Sequence, residues 1–201
     1  MKTGRTNTDF VLVIDTEDTS GSAEGTTKRV AVEDLIPTND GWEYVSDKTY
    51  ESTPVLVDAD VYTQVLNDGT SDSTNLVNLP EGVTRIYDTT ANQIKFDELL
   101  DRDVIYFRAS ITLNPKVNNT LPVIRISWTA RDSNGVALGT FSQEVSIAEL
   151  GDGAGVSYER SVTIPVYVGS ASTRYGEGIV ELKCNTPTYI EDFALLSIIN
   201  G

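Results

Sequence analysis

The chain has 201 residues, a formal net charge of −15, no histidine and a single cysteine, Cys184. Without imidazole there is no nucleophile–His–acid triad and no His-ligated metal centre, and one thiol excludes both an internal disulfide and a multi-cysteine zinc site. The 30 acidic residues against 15 basic ones argue against nucleic acid or an anionic membrane surface as a partner.

Residues 1–37 read as a separate unit. The apolar run 10–14 reads as a strand, 15–27 is acidic and built of small residues, and 28–32 reads as a second strand. A short helical turn at 33–36 stops at Pro37. The unit is too small to hold a core of its own, so it has to dock on something else. No secretory leader follows Met1, and no stretch approaches the roughly 20 apolar residues of a membrane-spanning helix. The expectation is a chain that is neither exported nor inserted in a membrane.

From residue 38 onward strand signals dominate. Trp42, Tyr44 and Tyr50 are expected to pack the start of a β domain rather than to stack on sugar rings. Strands are expected over 55–57, 61–66 and 84–87, with turns at Asn67-Asp68-Gly69 and Leu79-Pro80-Glu81-Gly82. Ile105, Phe107, Ala109, Ile111 and Leu113 then alternate with Tyr106, Arg108, Ser110 and Thr112, which puts two chemistries on two faces of one strand. Ile124, Ile126 and Trp128 alternate in the same way. Asn134-Gly135 predicts a hairpin, with the returning strand running over 136–147. In 156–168 the apolar set Val156, Tyr158, Val162, Ile164, Val166 and Val168 shares a face with one exception, Arg160, while Pro165 on the other face points to a sheet edge or a bulge. Two more strands are expected over 179–184 and 189–199. Many short strands with regular turns predict an all-β sandwich or barrel.

The last strand is apolar on both sides. Phe193, Leu195 and Ile199 share one face, and Ala194, Leu196 and Ile198 the other. One face meets the core of a sandwich; the second requires a cover, either a subunit interface or the chain's own loops.

The candidate chemical sites are weak. Asp58 with Asp60, Glu98 with Asp101 and Asp103, and Asp15 with Glu17 and Asp18 could be imagined holding calcium or serving a glycosidase, but no loop has the spacing of a six- to eight-oxygen calcium site. Gly151-Asp152-Gly153-Ala154-Gly155 is followed by a strand rather than a helix and lacks the Lys-Ser/Thr pair of a phosphate-binding loop. No cofactor, no metal and no enzymatic activity are expected.

Two stretches carry a resemblance. Asp9-Phe10-Val11-Leu12-Val13-Ile14-Asp15, a polar insert, and Thr27-Lys28-Arg29-Val30-Ala31-Val32-Glu33-Asp34-Leu35-Ile36 resemble the N-terminal module by which many bacteriophage fibres attach to the virion. Residues 96–108, beginning Phe96-Asp97-Glu98-Leu99-Leu100, resemble the strand entry of phage fibre tips, with Arg102 where that pattern has glycine, and the final strand is similar to their closing strand. The resemblance implies an antiparallel jelly-roll sandwich over 38–201, of the kind found in tumour necrosis factor, packed as a homotrimer behind a virion-attachment segment over 1–37. It implies a short tail or head fibre located on the virion, with other virion proteins of capsid or tail and a host surface glycan or protein as partners. Val30, Val32, Leu35 and Ile36 are then the candidate anchor, and Phe193, Leu195, Leu196 and Ile198 the candidate core and trimer axis. A capsid decoration or cement protein, a carbohydrate-binding module of a cellular protein and a carboxylate-dependent polysaccharide-cleaving enzyme are the alternatives.

Overall fold

The computed structural model describes residues 40–47, 49–67, 78–100, 103–151, 154–169 and 176–200 in full, and residues 10–15 and 26–31 by their backbone. The chain divides into two units, Met1–Thr38 and Asn39–Gly201. In the first, β1 (Phe10–Asp15) pairs antiparallel with β2 (Thr26–Ala31), with Phe10 opposite Ala31 and Asp15 opposite Thr26.

The second unit is a sandwich of two antiparallel sheets. The five-stranded sheet runs β11 (Tyr158–Tyr167), β8 (Val104–Pro115), β13 (Thr188–Asn200), β3 (Gly41–Asp47), with β4 (Val55–Val57) also paired to β13. The six-stranded sheet runs β10 (Ala137–Ser146), β9 (Pro122–Arg131), β12 (Glu177–Cys184), β7 (Gln93–Lys95), β6 (Tyr87–Asp88), with β5 (Thr63–Gln64) also on β12. Consecutive β8 and β9 lie in opposite sheets. On one side they take β11 and β10, on the other β13 and β12, which is the wrapped ribbon of a jelly roll. A single helical turn, α1 (Thr49–Ser52), follows β3.

The period-two pattern decides which face is buried. Along β8, Ile105, Phe107, Ala109, Ile111 and Leu113 are buried, while Tyr106 and Arg108 are exposed. Phe193, Leu195 and Ile199 of β13 and Ile164 and Val166 of β11 meet Ile124 and Ile126 of β9 and Val180 and Leu182 of β12 in one core. Each such Phe, Ile or Leu contributes roughly 1.5–3 kcal/mol relative to an exposed position. β11 is the terminal strand of its sheet, which accommodates Pro165 without loss of a ladder donor. The β9–β10 hairpin turns where expected: Gly135 adopts φ +80°, and the Asp132 carboxylate accepts the N–H groups of Asn134 and Val136.

Two expected strands differ, for one physical reason. β5 covers only Thr63 and Gln64: the Val65 N–H still donates to the Val180 carbonyl of β12 at 2.8 Å, but the donors after it go to side chains, the Leu66 N–H to the hydroxyl of buried Tyr50 at 2.9 Å and the Asn67 N–H to Asn92 Oδ1. β6 starts at Tyr87 rather than 84, because the upstream donors are taken by carboxylates. The Thr84 N–H and hydroxyl donate to Glu98, and the Ile86 and Tyr87 N–H groups both donate to Glu43 Oε2 at 2.7 Å. Glu43 is fully buried on β3 and so pins one sheet to the other. Side chains thus replace strand pairing around this end of the sandwich. Gly41 allows the close approach there, since a Cβ would meet the Asn78 carbonyl oxygen and Pro80.

Candidate interaction surface

The two sheets present opposite outer faces. On the five-stranded sheet the outward positions fall into straight cross-strand rows. Trp42 of β3 is opposite Ile198 of β13, Ile198 opposite Tyr106 of β8, and Tyr106 opposite Pro165 of β11. The next row is Tyr44, Leu196, Arg108 and Thr163, and the third is Ser46, Ala194, Ser110 and Ser161. These rows hold one charge, the Arg108 guanidinium, whose Nε donates to Ser161 Oγ at 3.0 Å. Ile198 is 38% exposed and Tyr106 37%. A cavity of about 580 Å³ opens at the end of the first row between Asp40, Trp42, Asn78, Tyr106, Ile198 and Asn200, beside a smaller apolar hollow bounded by Trp42, Leu196 and Ile198. At the opposite end of the face lies Asp192. Burial pushes its carboxyl up, and the nearby Glu51, Glu159 and Asp47 push it further.

The outer face of the six-stranded sheet is a closed polar network. Gln64, Glu181, Arg125 and Glu144 form its central row. Arg125 grips Glu181 with two bonds, Nε to Oε2 at 2.7 Å and Nη2 to Oε1 at 3.1 Å, and Ser127 Oγ donates to the same carboxylate at 2.6 Å. Burial raises the Glu181 pKa, but the hydrogen bonds from Arg125 and Ser127 and the guanidinium charge outweigh it and hold the group below its ordinary value. The Tyr62 ring lies 3.4 Å from the Arg125 guanidinium carbon and 4.6 Å from Lys183 Nζ, and its hydroxyl donates to Glu144 at 2.8 Å.

A third surface lies on the flank where β10 and β11, the terminal strands of the two sheets, run against each other. Little of β10 is buried: Leu138 is 60% exposed and Phe141 52%. Phe141 stacks on Trp128, which meets buried Phe96 edge-on, so an aromatic ladder leads from the core to the open flank. Val145, Tyr158 and Val162 touch the core here but stay partly uncovered. Arg160 faces the same side, with its guanidinium 5.3 Å from the Tyr158 ring and no carboxylate partner among the described residues.

The sequence-derived candidates divide accordingly. Phe193 and Leu195 are core residues; Leu196, half-buried, and Ile198 lie on the outer face of the five-stranded sheet. Tyr50 is buried, whereas Trp42 and Tyr44 stand half-exposed on that face. Val30 pairs with Val11 in the β1–β2 backbone ladder; its side chain and residues Val32, Leu35 and Ile36 lie outside the described residues. Among the acidic groups, Glu98 caps Thr84 and Asp103 accepts the Leu100 N–H, while Asp58 and Asp60 flank a bridge rather than share a strand face. No group of three or more acidic or cysteine side chains among the described residues is placed to hold a metal ion. The β10 flank went unmarked in the sequence because its apolar residues, Val136, Leu138, Phe141 and Val145, do not alternate; a register shift between Ala137 and Gly139 breaks the period.

No protein-family model matches the chain, and no curated protein matches it. Among solved structures it is similar to the infectious bursal disease virus VP2 subviral particle, at TM-score 0.31 and 9% identity, covering 96% of this chain and 38% of that one. It is also similar to the structure of the Gx strain of that virus, at TM-score 0.30 and 9% identity, covering 88% of this chain and 35% of that one. The chain therefore spans little more than a third of the solved chains it matches.

Proposed function

We propose that this protein is a non-catalytic structural component of a bacteriophage virion, a short homotrimeric appendage that attaches to capsid or tail and presents its β-sandwich outward, toward the host surface. The observation that carries the reading is the uncovered row Trp42–Ile198–Tyr106–Pro165 across the five-stranded sheet. An apolar sheet row that stays part-exposed, as Ile198 and Tyr106 do, is a surface for association. In a chain of net charge −15, copies approach one another most readily where carboxylates are missing, and the three rows contain none. The likeness of residues 9–15 and 27–36 to fibre attachment modules supports placement on the virion. Three copies on one rigid body convert weak individual contacts with a host into avid binding.

The test is recovery of the chain from purified particles of the phage that encodes it, with gold-labelled antibody decorating the particle exterior. Presence only in the infected-cell lysate, and never in particles, overturns the reading. The cavity beside Trp42 and Tyr106 favours the carbohydrate-module reading as the second one, since an aromatic wall with Asp40, Asn78 and Asn200 around it suits a sugar ring. That reading requires a monomer whose indole fluorescence responds to oligosaccharide.

A further inference from the structure

A closed ring of three copies needs two different surfaces on each copy, because a head-to-tail contact joins one patch to another that is not itself. The apolar face of the five-stranded sheet supplies one. From strand spacing and rise it measures roughly 400 Å² across four strands and six residues, about half of what each partner gives to a standard stable interface. Pairing that face with itself gives each copy one contact, whereas a ring in which each copy also gives a second patch doubles what it buries.

We infer that the second patch is the β10–β11 flank, and that its occupant is the apolar sheet face of a second copy of this chain. The inference rests on the self-association proposed above. Three observations select the flank. It is where the core is left unfinished, with Val145, Tyr158 and Val162 packed against core residues yet partly open and Phe141 stacked on Trp128 beside them. Its exposed edge strand carries none of the usual guards against pairing: β10 is ten residues long, holds no Lys, Arg or Pro, and has one carboxylate, Glu144, already engaged by Tyr62 and Arg125. β11, by contrast, carries Pro165.

Charge also favours the pairing. The face bears Arg108, bonded among the described side chains to Ser161, and ends at Asp192 among other carboxylates. The flank bears the guanidinium of Arg160, which no carboxylate of the described residues neutralises, whereas Glu144 of β10 lies in the polar row of the outer face with Arg125. Face against flank therefore lets the unmatched guanidinium of Arg160 meet the carboxylates at the Asp192 end of the face, while face against face brings only like-charged Arg108 groups together. β11 borders both surfaces, since Pro165, Thr163 and Ser161 point to the face and Tyr158, Arg160 and Val162 to the flank, so one strand couples the two contacts.

The experiment uses full-length chains and sedimentation velocity. Ile198→Lys breaks the face and Phe141→Lys breaks the flank; both positions are exposed enough to accept lysine, and Leu138→Lys repeats the flank test at the most exposed position. The expected result is that each variant alone sediments as a single chain. An equal mixture of Ile198→Lys and Phe141→Lys then gives a two-chain species and nothing larger, because it contains one intact face and one intact flank per pair. Assembly in the mixture also shows that both variants are folded. If Phe141→Lys and Leu138→Lys keep the wild-type mass while Ile198→Lys does not, the flank inference is overturned and self-association through the face stands. A wild-type chain that is itself monomeric removes the underlying reading, and the flank inference with it.

Discussion

The outer faces of the two sheets are built from the same strand geometry and carry opposite chemistry. The six-stranded sheet wears charges that satisfy one another, with Arg125 gripping Glu181 and stacked on Tyr62. The five-stranded sheet wears Trp42, Ile198, Tyr106 and Leu196 with a lone guanidinium. A polar group that its neighbours bury needs a partner within the protein, and Glu181 on the first face has Arg125 and Ser127. The second leaves apolar area in solvent, which adds nothing to the stability of the single chain and, on the reading proposed above, joins chains.

The contrast breaks most visibly under lysine substitution. Ile198→Lys is expected to change the unfolding free energy of the chain by no more than about 0.5 kcal/mol, because the position is exposed, yet to abolish assembly when followed by sedimentation. Arg125→Ala on the other sheet is expected to do the reverse. It leaves Glu181, 8% exposed, without its bidentate partner and costs about 2 kcal/mol in denaturant unfolding, with the oligomer mass unchanged.

Two carboxylates sharpen the comparison through pH. Glu181 is held below its ordinary value of 4.5, so its contribution to stability is present above that value and is lost as pH falls through its lower folded value. Glu43 runs the other way. Burial pushes it above 4.5 against the Tyr87 and Ile86 N–H groups and Arg85, and Glu43 Oε1 is buried without a hydrogen-bond partner among the described residues. The folded chain thus binds this proton more tightly than the unfolded chain, and stability from Glu43 is full below 4.5 and declines as pH rises through its higher folded value. Unfolding free energies of wild type, Glu43→Gln and Glu181→Gln across pH 3 to 7, roughly the span over which carboxylates titrate, are expected to show each variant missing its own component, with opposite slopes. The smallest effect is expected of Tyr62→Phe, which removes one exposed bond to Glu144 and lowers stability by about 0.5 kcal/mol in the same assay.

What the sequence made legible follows from how local the deciding physics is. The strands with clean alternation, β8, β9 and β11, lie where residues 105–113, 124–129 and 156–168 place them, and Pro165 correctly marks an edge. The doubly apolar character of β13 could be read directly: Phe193 and Leu195 enter the core, while Leu196 and Ile198 face outward. The rows that make this a surface could not be read, because they depend on register between β3, β13, β8 and β11, strands as far apart in the chain as residues 42 and 198. The same holds for Glu43, whose partners Ile86 and Tyr87 are 43 and 44 residues away. Acidic residues in this chain look alike in sequence; position alone separates the sheet pin Glu43 from the guanidinium-bound Glu181 and the turn-capping Asp132.

The most direct test of the central claim, that the five-stranded sheet face joins copies of this chain, is the native mass of the purified full-length protein by light scattering. The account predicts about three times the 21.9 kDa chain mass, falling to one chain in Ile198→Lys. A wild-type protein that stays at the mass of one chain over its soluble concentration range contradicts it.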